Sequence, residues 1–67
     1  MIDVYKFDYK KVKVKCFGVE QFFIGKAVAD TEYESDRDYI IVTKNSKDKY
    51  AHILFADEIE SIEEIEG

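Results

Sequence analysis

Several residue types are scarce or missing in this chain, and each absence removes a class of structure. There is no proline, and only three glycines occur among the 67 residues. Without a linker rich in glycine and serine, an internal repeat or a low-complexity stretch, residues 1–67 are expected to form one domain. A chain this short buries only about 60% of the surface that it exposes when unfolded, so we expect thin stability, which an oligomer would increase.

Cysteine and histidine each occur once, as Cys16 and His52. A single cysteine cannot form an internal disulfide and no secretory leader pattern opens the chain, so a cytoplasmic location is expected. The two residues cannot supply the four ligands of a structural zinc site, and no acidic spacing matches a calcium loop. We therefore predict no metal and no other cofactor.

The sequence also lacks the common catalytic motifs: it has no phosphate-binding loop, no glycine-rich dinucleotide turn and no serine elbow. A nucleophile pair of Cys16 and His52 is the one enzymatic candidate. Cys16 shares the strand parity of Val12 and Val14, which predicts a packed core residue rather than a reactive thiol. We expect no catalytic residues and no enzymatic activity.

No apolar run approaches the ~20 residues of a membrane helix, so no membrane contact is expected.

Hydrophobic residues make up 46% of the chain and include five Phe and five Tyr, around whose large side chains we expect the sheet to curl. Residues 11–16 alternate lysine with valine or cysteine, which is the period of a half-buried strand. Residues 22–29 predict a second strand, in which Gly25 allows a sharp bend. Residues 39–43 and 50–55 predict two further strands, joined through a polar hairpin connection at residues 45–49.

The two ends of the chain are ambiguous. Ile59, Ile62 and Ile65 recur every three positions, a spacing that favours a helix over strict strand alternation. Near the amino terminus, Tyr5 and Tyr9 fit either a strand or one face of a helix, and we interpret this stretch as a short helix.

The order of these elements resembles the Sm-like family of small barrels, particularly its small bacterial members, over residues 11–65. The resemblance rests on a Val-Lys-Val opening at residues 12–14, a turn at Gly18 that leads into Phe-Ile-Gly at residues 23–25, and the Glu-Ile-Glu-Ser-Ile ending at residues 58–62. It implies a strongly bent, five-stranded SH3-like barrel, often preceded by a short helix, that forms rings by edge pairing of its last two strands. It also implies a tight turn and a strand, not a helix, in residues 57–65.

The chain departs from this family where its members bind RNA. The loop after the second strand carries Tyr33-Glu34-Ser35, and the turn before the last strand carries Ala56-Asp57-Glu58. The acids of the second turn would repel phosphate, so the family's usual uridine site is not transferred to any residue here.

Charge is distributed unevenly within the formal net charge of −5. Residues 1–29 hold six lysines and three acids, whereas residues 57–67 hold six acids and no base. The lysines of the first strand could follow a phosphate backbone while a tyrosine stacks on bases, although outward lysines also serve to blunt sheet edges. The candidate nucleic-acid contacts are Tyr9, Lys10, Lys11, Lys13 and Lys15.

The acids of residues 30–38 and 57–66 could bind a basic protein partner, or could simply be solvated. The candidate partner surface consists of Glu32, Glu34, Asp36, Asp57 and Glu58. The sequence thus supports two hypotheses: an Sm-like binding module that forms a homo-oligomer and contacts RNA, or a protein-interaction domain with an acidic surface and no affinity for nucleic acid.

Overall fold

In the computed structural model, which describes residues 2–44 and 51–65, five strands form one antiparallel sheet. The strands are β1 (Lys11–Cys16), β2 (Phe22–Thr31), β3 (Asp38–Thr43), β4 (Ala51–Phe55) and β5 (Ile59–Glu64). They lie in the order β4-β3-β2-β1-β5, so β4 and β5 are the two edges of the sheet. The prediction of a mainly β fold is confirmed. The predicted hairpin connection at residues 45–49, and the predicted start of the fourth strand at residue 50, lie outside the described residues.

The amino-terminal segment forms a single 3₁₀ turn, Val4–Phe7. Asp3 caps the turn, because its side-chain Oδ1 accepts a hydrogen bond of 3.1 Å from the Tyr5 N–H. Val4 is fully buried, which attaches the turn to the core. The short helix predicted for this segment is therefore present as one 3₁₀ turn.

Strand β2 is shared between two neighbours. Its first half pairs with β1, from Phe22 opposite Lys15 to Lys26 opposite Lys11. Its second half pairs with β3, beginning with Lys26 opposite Thr43. The change of partner falls at Lys26, which follows Gly25, and a Cβ atom added to Gly25 would lie 2.1 Å from the Thr43 carbonyl oxygen. Glycine is needed here because no side chain fits between the two backbones.

The carboxyl-terminal segment is a 3₁₀ turn, Ala56–Glu58, followed by strand β5. The helix favoured by the isoleucine spacing is therefore absent, and the strand expected from the family resemblance is present. A bulge explains the spacing: Cys16 pairs with Ile59 and Lys15 with Ser61, which leaves Glu60 as an extra residue. The extra residue puts Ile59 and Ile62, three positions apart, opposite the inward residues of β1.

The core is aliphatic, and the expectation of an aromatic core is wrong. No described aromatic side chain is buried, although Phe7 and Phe23 pack partly against the core. The reason lies in the strand pattern: valine, alanine and isoleucine occupy the inward positions of β1, β2 and β3, so aliphatic side chains fill the interior. The buried hydrophobic residues are Val4, Val12, Val14, Cys16, Ala27, Ile40, Val42, Leu54, Ala56 and Ile59.

Within the part of the chain that the structure describes, no helix is long and apolar enough to cross a membrane.

Candidate nucleic-acid interface

The lysines of β1 project from the outer face of the sheet. Burial alternates along the strand: Val12, Val14 and Cys16 are buried, and the intervening lysines are exposed or half-buried. This alternation confirms the sequence-based assignment of the two faces. The outward lysines are therefore available for contacts on the surface.

Two of the four predicted lysines already have partners. The Nζ atom of Lys10 lies 3.3 Å from a carboxylate oxygen of Glu64, and that of Lys15 lies 2.7 Å from one of Glu60. Both carboxylates belong to β5, the edge strand beside β1. The positive charges of Lys10 and Lys15 are therefore partly neutralised, which weakens their attraction for a phosphate group.

Strand β2 adds residues that the sequence interpretation missed. The register places Phe22 opposite Lys15, Ile24 opposite Lys13 and Lys26 opposite Lys11, all on the outer face. Phe22 and Ile24 remain 49% and 46% exposed. Their alternation, with Lys26 two positions further on, is visible in the sequence, but the pairing that puts them beside the β1 lysines is not.

Aromatic rings accompany two of the lysines that have no described carboxylate partner. The Lys13 ammonium lies 4.2 Å from the centroid of the Phe22 ring, and the Lys26 ammonium lies 5.7 Å from that of Tyr9. A cation and the aromatic ring beneath it attract each other electrostatically. We call Tyr9, Lys11, Lys13, Phe22 and Lys26 the lysine face.

Tyr9 occupies an unusual backbone position on the lysine face. Its φ angle is 62°, in the left-handed region that disfavours a bulky side chain, and its side chain is 69% exposed. The Tyr9 N–H donates a 2.7 Å hydrogen bond to the Ala27 carbonyl, which holds this conformation against β2. An exposed aromatic ring at a strained position is poorly explained by packing, and such strain concentrates at binding sites.

The two acidic segments come together at one end of the molecule. The loop between β2 and β3 closes when the Glu32 N–H donates to the Arg37 carbonyl, at 2.8 Å, and the Asp36 N–H to the Glu32 carbonyl, at 2.9 Å. Arg37 then reaches the turn before β5, where its Nη2 lies 2.9 Å from the Asp57 carboxylate. We call Glu32, Glu34, Asp36, Asp57 and Glu58 the acidic end.

Arg37 modifies the charge of this end. Its hydrogen bond to Asp57 lowers the pKa of that carboxyl group and raises the pKa of the guanidinium. Its guanidinium carbon also lies 3.8 Å from the centroid of the Phe55 ring. Asp57 is therefore ionised but paired, whereas Glu34 and Glu58 have no ion pair with another described residue.

Cys16 is 5% exposed, which confirms its predicted place in the core. Burial raises the pKa of its thiol, and the nearby Glu58 carboxylate raises it further. The neutral thiol is a poor nucleophile. Among the described residues, no three His, Cys, Asp or Glu side chains are grouped so that they could hold a metal ion.

Comparison with protein-family models, curated proteins and solved structures finds no match.

Proposed function

We propose that this chain is a non-enzymatic binding module of the Sm-like kind and that its lysine face binds single-stranded RNA. One observation carries the proposal: three ammonium groups without a described carboxylate partner lie on adjacent strands, and two of them lie over exposed aromatic rings. Single-stranded nucleic acids are held by this combination, in which cations neutralise phosphates while aromatic rings stack on bases.

The net charge of −5 does not prevent such contact. At physiological salt, fields between exposed charges fall off within about 8 Å. The molecule measures 31 × 23 × 21 Å, so a phosphate on the lysine face responds mainly to the lysines around it. The acidic total instead weakens nonspecific attraction from a distance.

The proposal includes assembly into a homo-oligomer. The edge strands β4 and β5 have no second strand partner among the described residues. Unpaired strand edges are templates for pairing with another chain. Pairing of β4 with β5 of the next copy would satisfy both edges and close the sheet between subunits.

The RNA proposal is tested by titrating labelled single-stranded RNAs of about 12 nucleotides, one of uridines and one of adenosines, at several salt concentrations. Three phosphate contacts predict a slope of log affinity against log salt of about −2. Lys11→Gln and Lys13→Gln should each reduce that slope by about 0.7, whereas Lys6→Gln, outside the lysine face, should leave it unchanged.

The aromatic contribution is measured in the same assay. Tyr9→Asn removes the ring and suits the left-handed backbone, so it should weaken binding by about 1–3 kcal/mol without lowering stability. RNA that fails to bind at low salt, or a salt slope unchanged in both lysine variants, overturns the proposal.

A second candidate function is supported by an apolar hollow beside the acidic end. The hollow, of about 490 Å³, is lined by Ile2, Phe17 and Ile59 and rimmed by Asp57 and Glu60. Phe17 is 64% exposed, so its ring is accessible to a partner. A basic protein segment with an apolar anchor would fit this chemistry. This function predicts binding of a lysine-rich peptide and no response to RNA.

A further inference from the structure

A groove opens next to the lysine face, between the first half of β2 and strand β4. Its volume is about 430 Å³, within the range of small-ligand sites. Phe22 lines the groove and also lies beneath the Lys13 ammonium, 4.2 Å from its ring centroid. The groove is therefore continuous with the lysine face.

The walls of the groove are aromatic. The rings of Phe23 and His52 lie with centroids 4.7 Å apart and planes tilted by 56°. His52 is exposed, so its ring borders solvent, while Val42, 1% exposed, closes the bottom. A flat, unsaturated ring is the ligand shape that such walls accept by stacking.

Polar groups stand at the mouth of the groove. Gln21 can both donate and accept hydrogen bonds, and Lys44 offers an ammonium group. Neither side chain forms a hydrogen bond or ion pair with another described residue. The hollow beside Phe17 differs, because its rim carries the carboxylates of Asp57 and Glu60, which repel phosphate.

We propose that this groove receives one base of the bound RNA, which stacks on the exposed ring of His52, beside Phe23. Gln21 contacts the edge of the base and Lys44 its phosphate. The assignment rests on the proposed RNA function and specifies the ligand unit, a single nucleotide turned out of the strand. It also explains why an imidazole and a phenylalanine ring remain together at the surface.

The test is an NMR titration of the full chain with adenosine, guanosine, cytidine and uridine monophosphates, with inorganic phosphate as the anion control. Saturable shifts of the His52 imidazole and the Phe22 ring are expected with at least one nucleotide and not with phosphate. His52→Ala should weaken binding of the RNA oligonucleotide by about 5- to 150-fold, the effect of losing one stacked base.

Tyr33→Ala is the matched control, because it removes an aromatic ring that is 95% exposed in the loop between β2 and β3. It should leave RNA affinity unchanged. Phe23→Leu keeps the apolar volume and removes the aromatic ring that lies against His52, so it should weaken binding as His52→Ala does. Circular dichroism of each variant verifies that the sheet is retained.

The outcomes separate the two proposals. RNA binding with the predicted salt slope, but with full affinity in His52→Ala and Phe23→Leu, overturns the base site and leaves the lysine face standing. Shifts caused by inorganic phosphate alone overturn base stacking in favour of anion binding. Nucleotide shifts without any oligonucleotide binding overturn the RNA function and the assignment of this groove to it.

Discussion

At the scale of single residues, Gly25 leaves no room for a side chain. The carbonyl oxygen and carbon of Thr43 would lie 2.1 Å and 2.6 Å from an added Cβ atom. Both atoms are backbone, so a rotamer change cannot relieve the contact, and either β2 or β3 must move. Since β2 changes partner at the next residue, Lys26, a displacement disturbs its pairing with both neighbours.

Gly25→Ala is therefore expected to lower the free energy of unfolding by about 3 kcal/mol, a large part of the stability of a domain this small. Urea unfolding followed by far-UV circular dichroism measures the change. Gly18→Ala is the matched control: the φ angle of Gly18 is 76°, but nothing lies within 4 Å of an added Cβ. Its cost should be only about 1 kcal/mol. Equal losses in the two variants would contradict the close approach at Gly25.

At the scale of elements, the loop between β2 and β3 is tied to the turn before β5. The tie consists of the ion pair of Arg37 with Asp57 and of the contact between Arg37 and the Phe55 ring. It joins segments that are 20 residues apart in the chain. The pairing also holds together the acidic end, whose other carboxylates repel one another.

This pair predicts a dependence of stability on pH. The pKa of Asp57 is lowered in the folded state by its hydrogen bond to Arg37. Its stabilising contribution is therefore complete above the unfolded pKa, near 3.9, and is lost as the pH falls through the lower folded value. Arg37→Gln should reduce the loss of unfolding free energy that accompanies the fall in pH over this range. Urea midpoints between about pH 2 and 6 measure it.

Lys6→Gln is the control for this measurement, because it removes one positive charge without breaking an ion pair between described residues. Its urea midpoints should depend on pH as those of the natural chain do. Parallel curves for Arg37→Gln and the natural chain would show that the pair has no effect on the titration of Asp57. The effect is expected to be smaller than that of Gly25→Ala, since both side chains are more than two fifths exposed.

The bulge in β5 is a second feature at this scale. Because Glu60 is the extra residue, Ile59 and Ile62 both lie opposite inward residues of β1 despite a spacing of three. Glu60 then lies beside Lys15, with which it forms an ion pair of 2.7 Å. The bulge thus allows isoleucines three positions apart to lie on the same face of a strand. It also places the Glu60 carboxylate where it neutralises Lys15, a residue of the predicted RNA contact.

At the scale of the whole molecule, the proposed homo-oligomer depends on the two edge strands, β4 and β5. Ile53, on the edge strand β4, is 58% exposed. A lysine on an exposed edge strand opposes pairing with another chain. Ile53→Lys should therefore convert a homo-oligomer to a monomer, as measured by light scattering after size-exclusion chromatography.

Tyr33→Lys is the matched control, since Tyr33 is exposed in the loop between β2 and β3 and belongs to neither edge strand. It should leave the mass unchanged. A natural chain that is monomeric at the concentrations tested would contradict assembly through the strand edges, while RNA binding by that monomer would leave the lysine face unaffected.

The sequence by itself determined what depends on local pattern. Alternating valine and lysine specify the two faces of β1. The segregation of lysines and acids is likewise visible in the linear chain. These features need only the period of a strand and the chemistry of neighbouring residues.

Only the tertiary structure decided which of these charges remain unpaired and which aromatic rings remain exposed. Lys15 meets Glu60 across 45 positions in the chain, and Lys26 approaches Tyr9 because β2 turns back along β1. Such partners follow from strand register, and register is fixed by the packing of the whole sheet. The residues next to a given residue in the sequence do not determine which strand will pair with it.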